Sequence, residues 1–274
     1  MSRSRLLETD GFNQLANGYG GYYLYNIHDI YVGQAIEKYG EYAALEARFL
    51  EQLCGPGDVV IEAGANIGAH TVSLARRVGP AGRVLAFEPQ RLVFQNLCAN
   101  VALNSLTNVE CHWAAVGSAS GFVLAPELDF HQRNNFGGVS LVDARQGRRV
   151  PCAVLNDFLE LDRLRLVKID VEGMESHVIQ GATQVIAKFK PILYVENDRV
   201  DKSEVLMRLI DGLGYRMYWH VSPLYNPQNF YGEEENIYRN ISSFNMLCLH
   251  RDTPANITGM QEITDFSRHP LRKG

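Results

Sequence analysis

The stretch DVVIEAGANIG, residues 58–68, decides how the rest of this 274-residue chain is interpreted. Residues 59–61 form a short apolar run, which is typical of a strand buried on both faces of a parallel sheet. The glycine turn GANIG, residues 64–68, follows, and residues 70–78 then space their apolar side chains as a helix does. The sequence therefore predicts a strand, a glycine turn and a helix, which open a parallel α/β unit.

The glycine turn suits a positively charged ligand better than a pyrophosphate. Gly64 can adopt positive φ and lets the backbone approach a ligand closely, and Gly68 lets the helix begin tight against the strand. Glu62 lies two residues before the first glycine, where its carboxylate would repel phosphate but suit an ammonium or sulfonium group. A second predicted strand, residues 83–87, ends at Glu88, where a carboxylate can accept hydrogen bonds from both hydroxyls of a ribose.

Composition and charge limit the class of protein. The length allows one well-buried core, and 46% hydrophobic with 21% charged residues is ordinary for a soluble globular protein. The net charge of −5 argues against nucleic acid as the main partner. No apolar run is long enough to span a membrane, and the N-terminal residues lack the apolar region of a secretory signal. Five cysteines without metal-ligand spacing indicate reduced thiols in a cytoplasmic protein.

Strands and helices alternate along the middle of the chain. Short links between them require a parallel sheet with right-handed crossovers. The predicted fold is therefore α/β, a doubly wound Rossmann-like sheet of seven strands, mostly parallel with the last strand antiparallel. The predicted strands are 58–63, 83–88, 109–113, 166–169, 192–195, 215–219 and 244–250, and the predicted helices include 67–78, 91–104 and 174–188.

Three regions are predicted along the chain. Residues 1–56 form an N-terminal ribbon and helix cap, and the Gly/Tyr-rich part of this segment indicates an edge ribbon rather than a flap. Residues 57–250 form the core domain, with insertions at 117–157 and 220–243. Residues 251–274 form a C-terminal tail.

Several motifs resemble one known family. EAGANIG followed by AFEPQ, residues 62–68 and 86–90, resembles the class I S-adenosylmethionine-dependent methyltransferases and, within them, the FkbM family. The resemblance runs from about residue 29 to about residue 250, so the predicted core is a class I methyltransferase domain. The other motifs that carry it are DIYVG, YGEY, NFGGVSL, LVKIDVEGME and SFNML.

The resemblance implies an S-adenosylmethionine site at the carboxyl ends of the strands, where ligands bind in such sheets. Glu41 of YGEY is placed near the cofactor by the resemblance alone, and by its sequence it could equally be a charge at a helix N-terminus. The expected cofactor-binding residues are Glu41, Glu62, Gly64, Ala65, Asn66, Gly68, Thr71, Glu88, Pro89, Gln90, Ala114 and Asp170.

The two insertions are candidates for substrate contact. Residues 117–157 contain a polar, glycine-containing loop that is predicted to act as a lid, the alternative being a surface hairpin turn. Residues 220–243 mix aromatic and amide side chains, which suits a polar, ring-bearing substrate, the alternative being a solvated loop. The predicted substrate-binding residues are Asn134, Asn135, Phe136, His220, Tyr225, Asn226, Asn229 and Asn236.

Acidic residues gather at two strand ends that should be neighbours. Asp170 and Glu172 follow the fourth predicted strand, and Glu196 and Asn197 follow the fifth. Methyl transfer to a hydroxyl needs positioning and a base, and the predicted catalytic residues are His220, Glu172 and Asp170, with His220 favoured as the base. Asp170, Glu196 and Asn197 resemble the magnesium triad of catechol-type methyltransferases, but the first two could instead bond loops or the cofactor.

The FkbM resemblance implies O-methylation of a hydroxyl on a sugar or polyketide-like natural product. The expected partners are S-adenosylmethionine, Mg²⁺ if the triad binds it, and a small acceptor such as a glycan, glycolipid or polyketide; a homodimer is compatible with this. Three alternatives remain. These are N-methylation, a nicotinamide-dependent oxidoreductase and a non-catalytic binding module. The third glycine of the dinucleotide-binding fingerprint is missing, which disfavours the oxidoreductase. The binding module is disfavoured by the intact Glu62, Gly64, Gly68 and Glu88.

Overall fold

A computed structural model describes Leu7 and residues 10–142, 144–255 and 257–272. The strands are β1 Asn13–Gly18, β2 Gly21–Asn26, β3 Val59–Ala63, β4 Arg83–Phe87, β5 Val109–His112, β6 Ala115–Val116, β7 Gly121–Ala125, β8 Arg148–Ala153, β9 Leu166–Ile169, β10 Ile192–Glu196, β11 Tyr215–Pro223, β12 Ser242–His250 and β13 Gln261–Glu262. The helices are α1 Val32–Tyr39, α2 Ala44–Leu53, α3 Ala69–Val78, α4 Arg91–Leu103, α5 Glu175–Gln180, α6 Thr183–Phe189 and α7 Val200–Gly212.

The main sheet confirms the predicted fold class. Its strand order is β13-β11-β12-β10-β9-β3-β4-β5. Strands β3, β4, β5, β9 and β10 pair in parallel, while β12 is antiparallel to both β10 and β11. All seven predicted strands lie in this sheet, and the two-residue β13 adds a short eighth strand beside β11. Because β10, β9, β3 and β4 are consecutive parallel strands, their carboxyl ends meet at one edge of the sheet.

Both faces of the sheet are buried, as the apolar run in β3 predicts. Ile61 packs into the cluster that includes residues of α5, α6 and α7 on one face. Val60 packs into the cluster that includes Leu50 of α2 and Leu74 of α3 on the other face. Removing both faces from water is the main stabilisation of such a layered fold.

The predicted helix 174–188 is wrong as one helix, because the structure divides it into α5 and α6. The break lies at Gly181, where an added Cβ would lie 2.1 Å from the carbonyl oxygen of Gly117. The Asn156 side chain then accepts a hydrogen bond from the backbone N–H of Gln184 at 2.9 Å, which satisfies a donor in the first turn of α6. Apolar periodicity cannot detect this break, since its causes lie far away in the sequence.

The N-terminal segment forms the β1–β2 hairpin rather than a flap. Tyr23 and Tyr25 are buried. The side chain of Asn100 in α4 accepts a hydrogen bond from the backbone N–H of Leu24 at 2.5 Å and donates one to the Leu24 carbonyl at 3.1 Å. The hairpin is therefore held against the sheet layer, which agrees with the predicted edge ribbon.

The two insertions take different forms. Residues 117–157 contribute β7 and β8, which form a small sheet with β6. In the other insertion, β11 continues to Pro223 and pairs with β12 as far as Ser242, so the irregular loop spans only residues 224–241. Within the described residues, none of the helices has both the length and the apolar character needed to cross a membrane.

Candidate active site

A cavity of about 430 Å³ opens where β3, β4, β9 and β10 end. Its position is the ligand-binding edge that the doubly wound topology predicts. The predicted site residues that line it are Glu62, Gly64, Ala65, Asn66, Glu88, Asn135, Asp170, Glu172 and Glu196. The structure therefore brings together side chains from four strand ends and one insertion.

The glycine turn is closely packed against the end of β9. Gly64 has φ of 84°, and an added Cβ would lie 1.7 Å from the carbonyl oxygen of Asp170. Gly68, with φ of 87°, precedes α3, and there a Cβ would lie 2.8 Å from Leu97. Gly64 excludes a larger residue because positive φ and a backbone neighbour act together, whereas at Gly68 the neighbour is the movable end of a side chain and positive φ alone favours glycine.

Glu88 is held with its carboxylate between two cavities. Its Oε2 accepts a hydrogen bond from the backbone N–H of Asn66 at 3.0 Å, and its Oε1 accepts one from Gln90 at 2.7 Å. The side chain is 6% exposed, and burial raises its pKa to about 7. These two bonds fix the orientation of the carboxylate and leave further lone pairs for a ligand.

A smaller cavity of about 40 Å³ lies beyond Glu88. The predicted residues Pro89, Gln90 and Ala114 line it, together with Leu141 of the 117–157 insertion. The buried Nε2 of Gln90 has no hydrogen-bond partner among the described residues. The walls of this cavity are largely apolar, with Asp170 and Glu172 also lining it, and it contains one unpaired donor.

Glu62 is oriented by a neighbour that does not line the main cavity. The hydroxyl of the fully buried Thr71 donates to Oε2 of Glu62 at 2.6 Å. Glu62 is 1% exposed, and burial raises its pKa to about 7. Thr71 is therefore a positioning residue rather than a direct contact.

We expect Glu62→Gln to stabilise the unliganded protein relative to the wild type, and to do so much more at about pH 8 than at about pH 5. A carboxyl whose pKa is higher in the folded chain contributes stability that is fully present below about pH 4.5 and is lost as the pH rises through 7. A glutamine of similar shape has no such loss, so its advantage should grow by about 2 kcal/mol between about pH 5 and about pH 8. Urea unfolding at both pH values measures this, and an equal advantage at both would contradict it.

Three carboxyl groups form a cluster in the cavity wall. One oxygen from each of Asp170, Glu172 and Glu196 lies within 4.8 Å of the others. Burial alone would raise the pKa of Asp170, but the Lys168 ammonium, 3.0 Å away, holds it below its usual range. Burial and the Asp170 carboxylate raise the pKa of Glu196 well above its usual range. The carboxyl groups of Asp170 and Glu196 also form a hydrogen bond with each other, which requires one proton between them.

Glu172 is the most titratable member of the cluster. It follows β9 with φ of 52°, and it pairs with Arg199 at 2.6 Å. Burial and the neighbouring Asp170 raise its pKa to about 7 despite this cation. A carboxylate with this pKa in a cavity wall is suited to exchange a proton with a ligand.

The sequence profile described as "Methyltransferase FkbM domain" matches residues 62–217, more than half of the chain. The chain belongs to the FkbM methyltransferase family. It is similar to Methyltransferase 1 of Beauveria bassiana (strain ARSEF 2860), at 27% identity over 143 residues, which cover 44% of this chain and 57% of that protein. It is also similar to Methyltransferase sdnD of Sordaria araneosa, at 29% identity over 157 residues, 46% of this chain and 60% of that protein.

These matches confirm the family that the motifs predict, although the chain spans only about 60% of the length of the two curated relatives. A solved structure, protein PH0793 of Pyrococcus horikoshii, shares the fold with a TM-score of 0.51 and 14% identity. The match covers 87% of this chain and 71% of that one. At this identity the likeness concerns the fold alone.

In this FkbM-family chain, Asn197 does not belong to the acidic cluster, which corrects the predicted metal set. Its side-chain amide donates to the sulfur of Met246 at 3.2 Å, and its backbone carbonyl oxygen is 2.8 Å from Nε2 of His269. Glu172 occupies the third place instead. The spacing along the chain could not distinguish the two, because both residues lie shortly after the end of a strand.

His220 does not line the cavity, which corrects its predicted roles as base and substrate contact. Its Nδ1 lies 2.7 Å from the Tyr194 hydroxyl, and its ring packs on Phe49 with the centroids 4.2 Å apart. Burial lowers its pKa. The prediction was wrong because β11 continues through this residue and pairs it with Asn245.

Glu41 is buried but does not line the cavity, so its predicted contact with the cofactor is also corrected. Its two oxygens accept hydrogen bonds from the Asn226 amide at 2.9 Å and from the Phe230 backbone at 3.0 Å. It anchors the 224–241 loop. Tyr42, the next residue of the same motif, does line the cavity.

The predicted amide and tyrosine contacts of the 220–243 insertion serve the loop itself. The Tyr225 hydroxyl donates to the Glu233 carbonyl, the Asn229 amide donates to the Asn226 and Glu233 carbonyls, and the Asn236 side chain accepts from the Tyr238 backbone. None of the four predicted residues lines the main cavity. The loop and the adjacent end of β12 contribute other residues, namely Leu224, Ile241, Ser242 and Ser243.

The predicted lid residues divide in the same way. Asn135 lines the cavity, together with the two glycines that follow Phe136. Phe136 itself is 2% exposed and stacks on Phe130 with the ring centroids 4.4 Å apart, so it is a core residue. Asn134 is exposed, and its backbone bonds His28. Only Asn135 keeps its predicted place in the site.

Sequence reasoning missed several residues of the wall, among them Tyr31, His70, Lys168, Arg199 and Ser243. Lys168 carried a usable signal, since a lysine inside an apolar, fully buried strand needs a paired acid. Ser243 carried none. Its hydroxyl donates to the buried Glu46 of α2 at 2.8 Å, a contact between residues almost two hundred positions apart.

Proposed function

We propose that the protein transfers a methyl group from S-adenosylmethionine to a hydroxyl of a small sugar or polyketide-like molecule. The observation that carries this proposal is the Glu88 carboxylate. It is fixed by two backbone N–H groups between an apolar cavity and a larger polar one. This arrangement suits a nucleoside whose ribose diol donates two hydrogen bonds while its base enters the apolar side.

The residues present fit this cofactor in three parts. Ala114 and Leu141 supply apolar walls for the adenine, and the unpaired Nε2 of Gln90 supplies a buried donor beside them. Glu88 would hold the ribose. Glu62 and Asp170 place negative charge near the positively charged remainder of the ligand. When bound, S-adenosylmethionine supplies a methyl group already activated for displacement, so the chain must orient the acceptor and exclude water.

The acceptor side favours a ring-bearing alcohol. Tyr31, Tyr42 and Ser242 line the cavity, so aromatic and hydroxyl side chains surround the space for the acceptor. An aliphatic hydroxyl must lose a proton to attack, and Glu172 is the wall residue best suited to take it. An amine acceptor would need this base less, because a neutral amine already has its lone pair free.

The acidic cluster does not fit Mg²⁺, so the metal-free alternative is favoured. Asp170 is paired with Lys168 and Glu172 with Arg199, while the hydrogen bond between Asp170 and Glu196 requires one proton. Two side-chain cations and one proton therefore already offset the three carboxylates. A divalent cation would have to displace these partners, so we assign no catalytic step to a metal.

Calorimetry and a methyl-transfer assay test the proposal. We expect the protein to bind S-adenosylhomocysteine but not NAD, and to methylate at least one alcohol in a panel of sugars and polyketides. With that alcohol, Glu172→Gln should reduce turnover about 100-fold while changing S-adenosylhomocysteine affinity little. His220→Gln is the matched control and should retain turnover. Binding of NAD alone would contradict the cofactor, and methylation of amines but no alcohol would contradict the acceptor.

A further inference from the structure

One polar atom in the cavity wall has no role in the site described so far. His70 lies in the first turn of α3, is 6% exposed and lines the main cavity. Its Nε2 is buried and has no hydrogen-bond partner among the residues that the structure describes. Buried polar atoms are nearly always paired, so an unpaired one in a ligand cavity indicates a group that the ligand satisfies.

The chemical state of this atom restricts what it can bind. Burial lowers the pKa of His70 to about 3, and the Lys168 ammonium acts in the same direction, so the ring is neutral. The ring also has a backbone hydrogen bond with Ala43, which must use Nδ1 because Nε2 is unpaired. This bond acts to raise the pKa of the ring, so the ring donates it and the backbone of Ala43 accepts. Nδ1 therefore carries the proton, and Nε2 is a bare acceptor.

The location of the atom indicates which donor it meets. Glu88 directly follows β4, whereas Glu62 and His70 both lie close enough to Lys168 for its charge to act on their pKa values. All four residues and Arg199 line the same cavity. A ligand whose ribose is at Glu88 places its amino-acid end here. Acceptors suit its ammonium and cations suit its carboxylate. The acceptor alcohol is a poorer match, because a nitrogen with so low a pKa cannot take its proton.

We propose that Nε2 of His70 accepts a hydrogen bond from the α-ammonium group of the methyl donor and positions its amino-acid end. The inference rests on the proposed function, since it assigns a contact within the same cofactor site. His70 is a positioning residue in this role. It holds the ammonium beside Glu62 while the adenosine is held elsewhere.

Two ligands that differ only in the amino-acid end separate this role from a structural one. S-adenosylhomocysteine has the ammonium, whereas 5′-methylthioadenosine keeps the adenosine and sulfur without it. We expect His70→Leu to weaken S-adenosylhomocysteine about 10- to 100-fold, as loss of a hydrogen bond to a charged group does, and to leave 5′-methylthioadenosine within about twofold. His70→Gln, whose amide oxygen can replace Nε2, should retain most of the affinity.

The matched control is His220→Leu, which removes a half-buried histidine outside the cavity and should change neither affinity. Equal weakening of both ligands by His70→Leu would show a structural role and overturn the inference. No change with either ligand would overturn it as well. If the wild-type protein bound neither ligand, the proposed function itself would fail, and the inference with it.

Discussion

Gly64→Ala is expected to destabilise the protein by about 3 kcal/mol or more and to abolish binding of S-adenosylhomocysteine. The residue has φ of 84°, and a Cβ would lie 1.7 Å from the carbonyl oxygen of Asp170. Because that neighbour is backbone, the clash cannot be relieved by rotating a side chain. Either β3 and β9 must separate or the turn must move, and both changes displace the acids that line the cavity. Urea unfolding and calorimetry measure the two effects.

Gly232→Ala is the matched control for this variant. Gly232 also has positive φ, 64°, but no heavy atom lies within 4 Å of a Cβ added there. The Gly232→Ala variant should therefore lose only about 1 kcal/mol of stability, which is the cost of the backbone conformation alone. If both variants lost the same stability, the close approach of Gly64 to Asp170 would not be the reason for the glycine.

Glu88→Gln is expected to weaken S-adenosylhomocysteine about 100-fold with the fold intact. Glutamine removes the charge and one acceptor oxygen. The carboxylate now accepts hydrogen bonds from the backbone N–H groups of Asn66 and Gln90. The NH₂ group of glutamine would face one of these two donors and could not accept from it. A ribose diol would then lose charge-assisted hydrogen bonds, each of which contributes more than a neutral one. Calorimetry measures the affinity, and circular dichroism checks the fold.

Glu110→Gln provides the comparison for Glu88→Gln. Glu110 lies on the neighbouring strand β5, where it is about half exposed and pairs with Arg83 at 2.7 Å. Exposed ion pairs contribute little, so this change should not affect ligand binding. Unchanged affinity in a folded Glu88→Gln variant would place the cofactor elsewhere and remove the main support for the proposed function.

Most of the predicted site residues that line the cavity share one property, which is that their positions follow from local sequence. Gly64 and Asn66 form the turn directly after a strand, and Glu88 and Asp170 each directly follow one. In a parallel sheet the carboxyl ends of strands meet at one edge. A residue within about three positions of such an end can therefore be placed without knowing the rest of the structure.

Three of the predicted site residues that lie outside the cavity are polar side chains whose partners are distant in sequence. Glu41 bonds the loop that contains Asn226, and Asn197 contacts Met246 of β12. His220 contacts Tyr194. Each side chain had the chemistry of a site residue, and each uses it to hold the fold. Sequence alone does not distinguish these uses, because a hydrogen bond to protein and one to ligand require the same groups.

By itself the sequence determined the alternating order of strands and helices, the glycine turn and the acids that directly follow β4 and β9, and its motifs pointed to the FkbM family. Only the tertiary structure decided that Glu172 and not Asn197 completes the acidic cluster, that Lys168 and Arg199 neutralise it, and that His70 keeps an unpaired nitrogen in the wall. The physical reason is one of range. Backbone preferences and burial of apolar faces act over a few residues, whereas the direction and charge state of a buried polar side chain depend on whatever the folded chain brings beside it.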